Sequence, residues 1–291
     1  MKKSFGMRIT PYLFLLPNFI IYLLFFIIPV IIAFQYAFTD YDGLVTMNFV
    51  GFDNFIKLLK DPLFWTVIKN TFFYVICTVP LLFVVSLMMA VLLIQKFLPF
   101  KGLFRAGYYW PVMISGIIVG LMWKWILGNN FGVLNYFLER LHMQPVAWLT
   151  SSLPSKIAIV MATIWSRAGF FMVIFMGGLE SIPEVYYEAA KIDGAGRIKI
   201  FFNITLPLLK PTIFLVLMLG AIDAFKEYPL ILSLTGGGPG TSTTLMIQYI
   251  YQQGFEKLNV GYASAASIFM FIILFIFTSI QFKAAKGGAV E

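Results

Sequence analysis

Cysteine and histidine are almost absent from this chain of 291 residues, which has one of each. Cys77 excludes an intrachain disulfide, leaves the redox compartment unmarked, and has the setting of a small buried apolar residue. His142 stands alone, with no cysteine nearby, so no metal site is expected. Charge is scarce as well: Lys, Arg, Asp and Glu make up 12% of the residues, where soluble domains run near a quarter. No G-x-x-x-x-G-K-[ST] run occurs, so the chain has no P-loop of its own. Gly194-Ala195-Gly196 is too short for a dinucleotide fingerprint and follows a helical pattern instead of a strand. No catalytic residues are expected, and any nucleotide hydrolysis belongs to another polypeptide.

What is present is apolar. Hydrophobic types account for 60% of the chain and mean hydropathy is +0.88, the composition of an all-α membrane protein. A hydrocarbon core about 30 Å thick needs roughly 20 mostly apolar residues per helix. Six such stretches are expected, at about 11–35, 69–95, 106–128, 156–179, 211–234 and 262–282, forming a single six-span domain over 1–291. The first follows Lys2, Lys3 and Arg8 as a signal peptide would. Its apolar part is too long for a signal, and no small-x-small cleavage site appears before Asp40, so it reads as an uncleaved span.

Basic residues orient the spans. With the N-terminus inside, the cytoplasmic flanks hold Lys2, Lys3, Arg8, Lys96, Lys101, Arg105, Lys191, Arg197, Lys199, Lys210, Lys283 and Lys286, twelve of the 21 basic residues. Asp40, Asp42, Asp53, Asp61, Glu139 and Glu256 fall on the other side. The positive-inside bias puts both termini in the cytoplasm. It also accounts for the net charge of +8 through topology and anionic lipid, without nucleic acid. Two external loops carry amphipathic patches. Asp53 can cap a short helix bearing Phe55, Ile56, Leu58 and Leu59, and Asn135–His142 repeats the pattern. Either they rest on the membrane surface and bundle, or they dock an external partner.

The loop between the fourth and fifth spans differs in kind. Ser181-Ile182-Pro183-Glu184 fits a capping box with proline near the first turn. The helix it opens runs through Lys191, and Gly194 is placed to end it in a left-handed cap. A second helix, about 197–206, is expected to stop at Pro207 and Pro211. The product is a helix–turn–helix hairpin over 181–207. Small Ala189 and Ala190 beside a glycine turn would let a partner approach the backbone, though a plain capped connector has the same spacing.

Polar groups inside the spans are few. Asp223, Lys226 and Glu227 lie near the middle of the fifth, each disfavoured by roughly 2.5–3.5 kcal/mol if it faced hydrocarbon. With position 230 they recur at helical spacing, so one stripe should face an interior, with Arg167 of the fourth span as counter-ion. Two readings stand: an interior ion network that locks packing, or a polar path shared with the planar groups Trp165, Phe225 and Tyr228. After this helix, Leu234–Gly240 reads LTGGGPG, a permissive turn with its bend at Gly236, Gly237, Gly238 and Pro239.

Glu188, Ala189 and Ala190, then Gly194, Ile204, Leu206 and Pro207 at their particular spacings, resemble the EAA signature of permease subunits in binding-protein-dependent ABC importers. Phe49–Trp65, Ile164–Ala195, Leu234–Gly240 and Tyr249–Phe255 are similar to carbohydrate-importing members related to MalF and glycerol-phosphate permease A. The likeness runs from about residue 11 to 282, without the extra N-terminal spans and large external domain of MalF. It implies a type I importer fold, with the hairpin as a cytoplasmic coupling helix. Glu188, Ala189, Ala190, Asp193, Gly194 and Ala195 would be the contact with a dimeric ATPase, which holds the ATP and Mg; this chain binds no cofactor. It further implies a second, homologous permease subunit in a heterodimer, an external sugar-binding protein, a place in the bacterial cytoplasmic membrane, and an external gate at the glycine-rich loop. Glycerol phosphate or another polyol is the alternative cargo within the family. An ion-coupled transporter or channel using Asp223 and Glu227 is a different class, as is a non-transporting assembly factor. The first should show paired inverted repeats, and none is visible.

Overall fold

Hydrocarbon offers no partners to backbone N–H and C=O groups, so long apolar runs satisfy them internally as helix. The computed structural model describes residues 5–95 and 99–285, with side chains from Leu13 onward. Among these residues there is no strand, only one antiparallel bridge between Thr39 and Phe49. Lys2, Lys3, Lys96 and Lys286, which help set the expected orientation, lie outside the described residues, as does the side chain of Arg8.

Among the described residues four helices have the length and hydropathy to cross a membrane: Leu13–Tyr36, Pro62–Leu93, Ser152–Glu180 and Val260–Ala284. Two further spans arise if each of two bent pairs counts as one: Lys101–Met113 with Gly116–Ile126, bent by 100°, and Arg197–Leu208 with Lys210–Phe225, bent by 68°. The expected continuous helices at 106–128 and 211–234 are therefore corrected. In the first, Trp110–Met113 tightens into a 3-10 turn at Pro111, and Ser115 swings to ψ 139° before Gly116 restarts the helix. In the second, the helix ends at Phe225, and a six-residue helix, Pro229–Leu234, follows. Pro229 has no N–H to continue the ladder and disfavours helical angles at the residue before it; Tyr228 sits at φ −148°.

The chain divides into two compact units, Met1–Asp61 with Ile250–Phe271, and Pro62–Tyr249 with Ile272–Glu291. In the first, the chain leaves the Leu13–Tyr36 helix through a turn closed by Asp40 N to Asn48 O at 3.0 Å and Val50 N to Phe38 O at 2.9 Å. The short amphipathic helix expected here spans Asp53–Lys60. Asp53 is its first residue and not its cap, which is Phe52; its carboxylate pairs with Lys57 at 2.7 Å. Phe52 and Phe55 pack on Phe38, and buried Asn54 donates to Ala37 O at 3.0 Å and Thr39 O at 2.7 Å.

In the second unit the Pro62–Leu93 and Ser152–Glu180 helices pack against each other. Leu82, Ala90, Met172, Phe175 and Leu209 form the buried centre. The other amphipathic loop helix is Val133–Arg140. Its buried Asn135 accepts from Val146 N and Trp148 Nε1, both at 3.0 Å, and donates to Asn129 O and Val146 O. Asn129 Nδ2 donates to Thr150 Oγ1 at 2.8 Å and closes the loop further out.

Candidate functional site

After the fourth span the chain makes two helical arms about a glycine turn, Glu184–Ile192 and Arg197–Leu208. The fourth span continues as helix to Glu180, so Ser181 ends it; its Oγ donates back to Gly178 O at 2.7 Å. No backbone N–H of the next helix bonds to this hydroxyl, so the expected capping box is corrected. Pro183 is the N-cap of the next helix, Glu184–Ile192, and makes no side-chain cap bond. At the other end Gly194 takes φ +71°. Asp193 N reaches Ala189 O at 3.0 Å and Ala195 N reaches Ala190 O at 2.9 Å, closing the helix carbonyls as a left-handed cap does. Pro207 does not stop the second arm, which runs Arg197–Leu208. A π turn at Phe201–Thr205, with Leu206 N bonded to Phe201 O, shifts the bonding register just before the proline and accommodates its missing N–H. The break falls instead between Leu208 and Lys210.

Glu188, Ala189, Asp193 and Gly194 are exposed and Ala195 is half-buried, but Ala190 turns inward at 7% exposure. Successive helix residues point about 100° apart, so a contiguous Glu-Ala-Ala triad cannot offer three side chains to one surface. Instead, Ile192 at 86% and Ile198 at 77% exposure flank the glycine turn. Thr205 Oγ1 bonds Tyr187 Oη at 3.3 Å, tying one arm to the other.

The intramembrane charges part company because the helix ends among them. Glu227 is buried at 6% exposure, and its Oε2 lies 3.6 Å from Arg167 Nη2. The expected Arg167 partnership is thus met by Glu227, while Asp223 and Lys226 are exposed on this chain. A four-residue interior network, and the single stripe through 223, 226, 227 and 230, are corrected accordingly: the break after Phe225 turns these positions to different sides. Phe225 is 2% exposed and packs against Phe72 and Phe277 at 5.7 and 5.5 Å between ring centroids, so its ring faces the core. Tyr228 is half-buried, and Trp165 is 39% exposed. Trp165 meets Trp123 edge to face at 6.2 Å, a residue the sequence reading missed. Its only signal was tryptophan within a largely aliphatic span.

The glycine-rich segment is not a loose loop. Gly236 and Gly237 both have positive φ, at +63° and +94°. Gln248 Nε2 donates to Gly236 O at 2.8 Å, Thr243 N to Gly237 O at 3.0 Å and Thr243 Oγ1 to Gly238 O at 2.8 Å. Asn70 in the second span donates to Thr241 O at 2.8 Å and Thr244 O at 3.3 Å, and Thr71 Oγ1 accepts from Met246 N. The loop is bolted to the start of that span. Pro239 is half-buried beside Gly238.

Outside the spans, Asn48 donates to Asp40 through its side chain, at 3.0 Å, and its backbone, at 2.6 Å. These bonds hold the Asp40 carboxyl below the usual carboxylate range. Among the described residues no three His, Cys, Asp or Glu stand close enough together to hold a metal ion.

Residues 64–285 match the family described as binding-protein-dependent transport system inner membrane component. Over 294 residues the chain is 34% identical to the sulfoquinovosyl glycerol transport system permease protein SmoG of Agrobacterium fabrum, covering 97% of this chain and 92% of that protein. It is likewise 34% identical over 276 residues to the trehalose/maltose transport system permease protein MalF of Thermococcus litoralis, covering 94% and 93%. Among solved structures, a chain of a bacterial alginate ABC transporter in complex with an alginate pentasaccharide-bound periplasmic protein matches at a TM-score of 0.82 and 27% identity, covering 96% of both chains.

Proposed function

We propose, from the premise that the chain belongs to the family of inner-membrane components of binding-protein-dependent transport systems, that it is the transmembrane subunit of an ATP-driven carbohydrate importer whose cargo is an oligosaccharide. It is a multi-pass membrane transport subunit and not an enzyme. The observation that carries the cargo class is the set of relatives matched end to end, whose named cargoes are sugars or sugar derivatives. Exposed Trp165, packed edge to face on half-buried Trp123, supports it, since aromatic faces are what sugar rings stack on.

In this reading the bent pair Lys101–Met113 with Gly116–Ile126 is one span, the Lys210–Phe225 helix with Pro229–Leu234 is another, and Arg197–Leu208 belongs to the cytoplasmic hairpin, giving six spans in a single permease domain over 1–291 with both termini in the cytoplasm of a bacterium. The hairpin over 181–207 is the coupling helix, with Glu188, Ala189, Asp193 and Gly194 facing a cleft of a dimeric ATPase that holds ATP and Mg; Ala190 and Ala195 support it from beneath. Ile192 and Ile198 extend the contact, because apolar side chains this exposed in a polar loop gain most from a partner's surface. This chain supplies one hairpin, so a second, homologous permease fills the other cleft. An external binding protein delivers the sugar, ATPase closure drives alternating access, and the chain itself binds no cofactor. Trp123, Trp165, Arg167, Asp223, Lys226 and Tyr228 line the path. Asp223 and Lys226 are exposed where lipid contact would cost roughly 2.5–3.5 kcal/mol each, so water or the second permease must cover them. Gly236, Gly237, Gly238 and Pro239 form a rigid rim at the external gate.

The test is reconstitution in liposomes of this chain with the permease, ATPase and binding protein that co-purify with it. ATP hydrolysis stimulated by sugar-loaded binding protein, together with sugar uptake, is expected; uptake driven by an ion gradient without ATP would overturn the proposal. Glu188→Ala should leave the permease folded while releasing the ATPase, and a variant that keeps the ATPase bound and coupled removes the hairpin from the contact.

A further inference from the structure

The break in the fifth span leaves a structural demand that one side chain meets. A helix of six residues is marginal by itself, so the position of Pro229–Leu234 is set by what holds it. One flank is the Gly116–Ile126 helix: a Cβ at Gly120 would stand 2.6 Å from Leu230 O, so the two backbones touch with no room for a side chain between them. The leading end is held by Glu227. Its Oε1 accepts from Tyr228 N at 3.1 Å and Leu230 N at 3.3 Å, on either side of the proline that has no N–H to give. The other oxygen, Oε2, lies 3.6 Å from Arg167 Nη2, beyond the roughly 2.7–2.9 Å of a tight charge-assisted bond. Arg167 keeps 43% of its side chain exposed.

We infer that Glu227 is a positioning residue of transport: one oxygen fixes where the broken fifth span restarts, and the other steers Arg167 toward the open face without burying it. The backbone bonds dominate and the ion pair is secondary. A buried N–H left without an acceptor bears its full desolvation penalty, whereas a half-exposed guanidinium that loses its partner is solvated by water. The Pro229–Leu234 helix leads directly into the pinned glycine-rich loop, so Glu227 also sets the register of that rim.

The consequence for uptake rests on the proposed importer function; the geometry does not, and the two are separable. In the reconstituted complex, Glu227→Gln keeps a carbonyl oxygen for both N–H groups and should retain most uptake. Glu227→Ala should lower uptake about tenfold, in keeping with the loss of a buried acceptor, with basal ATP hydrolysis unchanged. The charge swap R167E with E227R restores opposite charges but offers no acceptor at 227, and should fail to rescue. Independently of any cargo, Leu230→Cys in a C77S background should be shielded from maleimide, since Leu230 is 2% exposed. It should stay shielded with Glu227→Gln and become labelled with Glu227→Ala. A Glu227→Gln complex as impaired as Glu227→Ala, a swap that restores uptake, or continued shielding in Glu227→Ala would each overturn the inference. If the unmodified complex moves no sugar, the importer function fails and the labelling still decides the role of Glu227.

Discussion

Two glycine turns in this chain have similar backbone angles and opposite surroundings. Gly194, at φ +71°, has nothing within 4 Å of where a Cβ would be. Gly237, at φ +94°, has Thr244 Oγ1 at 2.6 Å and Gln248 Nε2 at 2.9 Å from that point. The first glycine is needed only for its conformation, so its loop stays open toward whatever approaches it. The second is needed for conformation and space together, and its loop is part of the packed interior. A turn that presents itself and a turn that is clamped look alike when only Gly is counted.

The comparison is broken most severely at Gly237. Gly237→Ala combines left-handed strain with overpacking and is expected to cost roughly 2–4 kcal/mol, read as a fall in the thermal unfolding midpoint in detergent. An unchanged midpoint would mean the loop is not clamped. Asn70→Ala, which removes both N–H donors to the same loop from a buried site, should cost about 1–2 kcal/mol and speed proteolysis within 235–245. Gly194→Ala meets no atoms, so only strain of about 1 kcal/mol remains. Its stability effect should be smaller than that of Asn70→Ala, while ATPase association falls; the reverse ranking would erase the distinction between the turns. The smallest effect concerns the Asp40 turn. Its carboxyl is held below the ordinary range, so the charged form is favoured by folding. The stabilisation is present above the unfolded pKa and lost as pH falls through the lower, folded value. Amide exchange at Asn48 should therefore accelerate only in strong acid, and Asp40→Asn should abolish that pH dependence.

Much of this molecule was legible because composition and punctuation act locally. Long apolar runs had to be helices, Gly194 had to end one, and the Phe55–Leu59 pattern had to be a short amphipathic helix. The misreadings share a cause. Ser181 followed by Glu184 is a capping box only if the preceding helix has already ended, and that helix ran on to Glu180. Helical spacing of 223, 226, 227 and 230 places them on one stripe only if the helix continues, and Pro229 ended it early. Trp123 and Trp165 are 42 positions apart, with nothing in the interval to announce that their rings meet.

The sequence by itself determined that this is a helical membrane chain with a polar, glycine-turned segment between apolar spans. Those properties follow from hydrocarbon transfer, helix period and the backbone freedom of glycine, all of which operate within a few neighbouring residues. Only the tertiary structure decided which charges are paired, which residue of Glu188-Ala189-Ala190 faces inward, and which glycine loop is clamped. These depend on atoms brought together from distant positions: Arg167 with Glu227, Asn70 with Thr241 and Thr244, Gly120 with Leu230. Such meetings are set by how helices break and pack, and no local pattern encodes them.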